Sequence, residues 1–206
     1  MKIRTPNIIR WHPVLSVVVA SFFLSASIML YKSFKTDDRM LATLIGVHHL
    51  GGEYRIDRFY IDKYIGDNVG QGGGGGGSVC CITIPKNWNS TLTADVRWEV
   101  HHIIKTENPA LEEAAEVEGI YQAQVPVEPY DEPGDFYVHF FPEGRVRIVV
   151  SPISSDGGQH PIQRGDKQAI LSATPGSLIT ALFSAEELAK AKRENARDKE
   201  KYGDWR

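Results

Sequence analysis

The chain is poor in cysteine: two among 206 residues, Cys80 and Cys81, and these are adjacent. Adjacent cysteines cannot present two zinc ligands as a C-x-x-C hook does. On a strand they would also point to opposite faces. A vicinal disulfide, two buried thiols and a bridge to another molecule all stay open. No thioredoxin-like context surrounds them, so redox catalysis is not expected. Acids are missing from residues 1–35, which hold Lys2, Arg4, Arg10, Lys32 and Lys35, so the remainder carries 18 bases against 26 acids. An acidic body lacks the clustered Lys and Arg that phosphate backbones need, and nucleic acid is excluded as a partner. There is no G-x-S-x-G elbow and no H-E-x-x-H. The six glycines at 72–77 lead into Ser78-Val79-Cys80 with no following Lys-Ser/Thr pair, so they are no phosphate-binding loop. No cofactor, no metal and no catalytic constellation is expected.

One long hydrophobic run is present. Pro13 to Tyr31 is uncharged and follows a basic lead; as a helix it would cover roughly 28 Å, enough to cross a hydrocarbon core. Trp11 and Tyr31 bracket it as interfacial aromatics. Ser25-Ala26-Ser27 offers a signal-peptidase site, but Ile28 to Tyr31 continue the apolar run beyond it. An inner-membrane anchor with a periplasmic body is the expectation, with a cleaved periplasmic form as the alternative. No cysteine lies near the segment, so no acylated N-terminus is expected.

The body reads as β. Runs with strand character are 41–50, 54–65, 79–85, 91–104, 119–127, 135–141 and 145–151. Every second residue is apolar in Leu92-Thr93-Ala94-Asp95-Val96-Arg97-Trp98-Glu99-Val100. FPEGR at 141–145 supplies turn chemistry for a hairpin over 135–151. Short strands with turns between them predict a mainly β fold, an antiparallel β-sandwich or partly open barrel. A parallel sheet is disfavoured, because no helical crossover lies between the strands. Residues 106–118, TENPALEEAAEVE, suit either a short helix or a solvated acidic loop. Ser184 with Glu187 forms a capping box that starts a C-terminal surface helix at about 184–202. The organisation expected is a signal or anchor at 1–35, a linker at 36–40, a β-rich domain at 41–152 and an extension at 153–206.

Two loops stand out as binding candidates. The glycine run has a high ordering cost and is a recognition loop more than a reaction centre. VEPYDEPGD (127–135) gathers four acids and Tyr130 between prolines, as a solvated turn or as a contact patch for a basic partner. The histidines fall at His48-His49, His101-His102, His139 and His160, besides His12. Neighbours on a strand face opposite ways, so neither pair makes a two-ligand site alone. Ordinary surface or half-buried histidines are expected, with a site built across strands left open.

The stretches IGVHHL, IDRFYIDKYIGDNVGQGGGGGG, CCITIPKNW and ADVRW, within residues 45–100, resemble the bacterial domain-of-unknown-function family numbered 3304. VEPYDEPGDFYVHFFPEGRVRIVVS is similar to the family's second half. The resemblance covers roughly residues 41–152, and its most specific part is the glycine run, Cys-Cys and Pro-x-x-Trp combination. Members are often exported lipoproteins; here the apolar segment 13–31 stands in place of the lipid. The resemblance implies an immunity role. The body would bind and neutralise a type VI secreted phospholipase effector of the α/β-hydrolase kind. Loops 70–78 and 128–135 would make the contact, through Gly74, Gly75, Tyr130, Asp131, Glu132, Asp135 and Phe136. Tyr130 and Phe136 would be the aromatic anchors and the three acids the charges. The alternative is a non-catalytic structural or assembly component of a periplasmic envelope complex.

Overall fold

Each of the seven runs with strand character contains at least one strand in the computed structural model, which describes residues 38–70, 76–105 and 114–203. The strands are β1 (Arg39–His48), β2 (Tyr54–Ile61), β3 (Tyr64–Gly66), β4 (Gly76–Pro85), β5 (Thr93–Ile104), β6 (Ala114–Pro126), β7 (Asp135–Phe141) and β8 (Arg145–Ser151). Two-residue strands β9 (Thr174–Pro175) and β10 (Ser177–Leu178) follow, then one helix, α1 (Ala185–Tyr202). The first sheet has the order β4-β1-β7-β8-β9 and the second β10-β6-β5-β2-β3. Neither sheet closes on itself, so the body is mainly β without a closed barrel.

The alternating pattern of β5 is met in the packing: Ala94, Val96, Trp98 and Val100 are all buried. Trp98 stacks on Tyr121 of β6 and leans on Phe140 of β7, joining the two sheets. On β2 the buried positions shift from Ile56 to Phe59 and Ile61, because a bulge between Ile56 and Arg58 adds one residue. The extra residue keeps both halves of the strand facing the core.

Three elements depart from the sequence expectation, each for a physical reason. The run 54–65 is two strands, since Asp62 adopts a left-handed φ of 52° and turns the chain into β3; aspartate tolerates that conformation better than most residues. Residues 114–118 belong to β6, pairing back from Ile104↔Ala114 along β5, so cross-strand pairing overrides the helix propensity of the Ala-Glu stretch. Residues 106–113 lie outside the described residues. Finally, β1 and β7 pair in parallel, from Leu44↔Phe136 to His48↔Phe140. The crossover that a parallel pair needs is supplied by the intervening strands of the second sheet in place of a helix.

Strand β7, DFYVHFF, has both faces covered. Phe136, Val138 and Phe140 join the core between the sheets, while Tyr137 and Phe141 join a second cluster with Val47, Val149, Ile162, Ala169 and Ala173. The chain after β8 therefore lies over the outer face of the first sheet as a third layer. The hairpin β7–β8 turns at Glu143-Gly144, both with φ of 62°. A Cβ on Gly144 would also meet the Tyr121 ring at 2.2 Å, so the position is restricted to glycine twice over. Helix α1 begins with the expected capping box: Ser184 and Glu187 exchange side-chain bonds with each other's backbone N–H. Arg97 on β5 holds this end, donating to Leu182 O (2.8 Å) and to both Glu187 oxygens while lying over the Phe183 ring.

The apolar segment 13–31 lies outside the described residues. Among the described residues, no helix is long and apolar enough to cross a membrane.

Candidate functional site

The loop between β6 and β7 carries the acidic candidates, and three contacts pin its first half. Trp88 Nε1 donates to Val127 O (2.8 Å). Arg147 on β8 grips Glu128 with two bonds of 2.6 and 2.8 Å. The Tyr130 hydroxyl donates to Pro85 O (2.7 Å). Pro85 and Trp88 of the Pro-x-x-Trp motif thus act as the clamp that fastens this loop. Past the clamp, Asp131 and Glu132 are exposed and Asp135 is half-buried. At the far end a Cβ on Gly134 would meet the Ser151 backbone at 2.1 Å, so only glycine lets the loop pass this close to the sheet.

Two of the predicted contact residues are not surface residues. Tyr130 is 7% exposed and Phe136 2% exposed, and both belong to the core between the sheets. The hydrophobic drive that made them candidate anchors is satisfied within the fold. Gly74 and Gly75 lie outside the described residues. Cys80 and Cys81 sit on β4, at one edge of the first sheet, their sulfurs in contact across a cis peptide. They line a small cavity with Lys63, Tyr64 and Ile65 of the β2–β3 hairpin.

The structure also assembles a histidine chain that sequence reading left open. The parallel register sets Val47 opposite His139, and His49 extends beyond β1 toward the same face. His49 Nε2 lies 3.0 Å from His139 Nδ1, and His139 Nε2 lies 3.1 Å from His160 Nε2. His160 Nδ1 then reaches Ile153 O at 2.8 Å. A carbonyl only accepts, so His160 carries its proton on Nδ1 and accepts at Nε2. His139 must therefore donate from Nε2 and accept at Nδ1 from His49 Nε2–H. The remaining nitrogen, His49 Nδ1, is left with a free lone pair.

All three rings are shifted toward the neutral form. Burial, followed by the adjacent His48 and by Arg164 and Arg147, pushes His49 down to about 4. Burial foremost, then His49, His160 and Arg147, holds His139 well below the ordinary histidine range. Burial also lowers His160, against the opposing effect of its bond to Ile153. His48 turns the other way, as expected for strand neighbours, bonding Gly70 O at 2.6 Å. His48 and His49 line a cavity of about 580 Å³ with Phe141, Pro142, Arg164 and Lys167. Nothing local in the sequence signals this chain, since its members lie 90 and 21 residues apart.

A second cluster joins Asp57, Glu99 and His101. Its two carboxylates face guanidinium groups, Glu99 on Arg58 at 2.9 Å and Asp57 on Arg55 at 3.4 Å. The cations already present cancel the charge that would attract a metal ion. His101 bonds Glu99 at 2.6 Å within the same cluster.

No curated protein and no solved structure matches this chain. The family described as Protein of unknown function (DUF3304) does: its model matches residues 51–148, from the loop after β1 through most of β8, with the Cys-Cys pair, the Pro85–Trp88 clamp and the acidic loop inside that span.

Proposed function

We propose that this chain is a non-catalytic immunity protein, tethered to the inner membrane through residues 13–31, whose periplasmic β-sandwich binds and neutralises a type VI secreted phospholipase. The observation that supports the reading is the acidic loop. It is fastened by Trp88, Arg147 and Tyr130, so Asp131 and Glu132 are presented from a pre-ordered backbone. Pre-ordering lowers the entropy lost on docking, and exposed acids steer a basic partner surface. With Tyr130 and Phe136 in the core, the aromatic anchors of such a complex come from the lipase, and this chain supplies charge and shape. The test is protection of cells that receive the cognate lipase in the periplasm. Asp131→Lys with Glu132→Lys is expected to abolish both protection and co-purification of the lipase by the full chain, without altering its thermal midpoint. Undiminished protection by the double variant overturns the assignment of this loop. A full chain that recovers an envelope assembly and no lipase replaces the reading with that of a structural component.

A further inference from the structure

The cavity at the end of the histidine chain has a divided wall. Its volume of about 580 Å³ falls within the roughly 300–1,000 Å³ of small-molecule sites. Phe141, Pro142 and Ile170 give it apolar surface, while the exposed Arg164 and Lys167 bring two cations against one acid, Asp166. Arg164 also reaches Asp156 at 3.4 Å, a weak pair because both side chains are more than half exposed. His49 stacks flat on Phe141, ring centroids 4.5 Å apart, and its Nε2 is committed to His139. His49 lines the cavity, and Nδ1 is the acceptor left on its ring.

We propose that this cavity binds a phosphate monoester carried on an apolar body. The polar groups set two demands on one ligand head: an O–H to donate to His49 Nδ1, and an anionic oxygen for Arg164 and Lys167. A phosphate monoester near neutrality meets both, because its second proton leaves at a pKa of about 6. A carboxylate has lost its only proton by about pH 5, and an ammonium head is repelled by the two cations. Phe141 and Ile170 then take the apolar body. The inference is independent of the lipase reading and does not use the acidic loop.

Binding is coupled to the ligand's own proton. The charged and titratable groups facing His49 are His48 on its own segment, His139 on β7, Arg147 on β8, and Arg164 and Asp166 after β8. Burial, His48, Arg164 and Arg147 hold His49 near 4 against the opposing Asp166, so it stays neutral over pH 5.5–7.5 and the phosphate monoanion is the species bound. Its fraction falls about 20-fold across that interval.

The experiment is calorimetric titration of the full chain with hexyl phosphate, phenyl phosphate, inorganic phosphate and hexanoate. Hexyl or phenyl phosphate is expected to bind at least about tenfold more tightly than inorganic phosphate or hexanoate, and to weaken about 20-fold from pH 5.5 to 7.5. Preference for the hexyl ester points to a lipid-derived phosphate, and preference for the phenyl ester to a soluble aromatic one. The paired change Arg164→Ala with Lys167→Ala, both exposed, is expected to lower affinity about tenfold or more. His49→Phe keeps the stacking on Phe141 and is expected to flatten the pH dependence. The proposal is overturned if neither ester binds at millimolar concentration, if hexanoate binds as well as they do, or if the Arg164/Lys167 pair can be removed without loss.

Discussion

Acidification between pH 7.5 and 4.5 is expected to destabilise the fold through its histidines. His49 titrates at about 4 in the folded chain, against an ordinary value of 6.5. The folded state therefore favours the neutral ring, and the unfolded state binds the proton first. The contribution is complete above about pH 6.5 and is lost as pH falls toward 4. At pH 4.5 the loss from His49 alone comes to about 2.5 kcal/mol, equivalent to a drop of about 5–10 °C in thermal midpoint for a chain of this size. His48, His139 and His160 are lowered too and act in the same direction. Glu187 does not imitate this window. Glu187 is held down to about 2 by Arg97, with help from the Ser184 backbone, so its contribution disappears only below its ordinary 4.5. Urea unfolding of the full chain at half-unit pH steps is the assay. His49→Phe removes one titrating group and is expected to reduce the slope of stability against pH by up to about 1.4 kcal/mol per pH unit. A flat profile from pH 7.5 to 4.5, or a variant slope equal to that of the parent, refutes the linked histidine chain.

Tyr130→Phe removes the donor to Pro85 O while keeping the ring in the core, and is expected to cost about 1–2 kcal/mol; an unchanged urea midpoint means the clamp contributes nothing. For Cys80 and Cys81, whose sulfurs are in contact, intact mass of the oxidised chain is expected to rise by two hydrogens on reduction, and equal masses with and without reductant rule out the bridge.

Much of the β framework was legible because it is written in local periodicity. Strand β5 alternates over Ala94, Val96, Trp98 and Val100, and the structure buries all four. The capping box at Ser184 and the Glu143-Gly144 turn are likewise local, and both are found where their residues predict. The reading failed where local chemistry competes with distant partners. Ala114 to Glu118 has helix propensity, yet an extended β5 was available to pair with it. Tyr130 and Phe136 lie next to acids on a proline-bounded loop, which reads as surface, but a side chain's neighbours in sequence do not decide which way it packs.

A mainly β body, the capped terminal helix and an acidic loop flanked by proline are encoded locally, since each depends on contacts between residues few positions apart. Long-range packing sets the rest: β1 and β7 run parallel, both faces of DFYVHFF are covered, and His49, His139 and His160 form one hydrogen-bonded chain. Those outcomes depend on strand order and on the segment after β8 folding back over the sheet. Bringing such residues together is governed by burial summed over the whole core, and no short stretch of sequence encodes it.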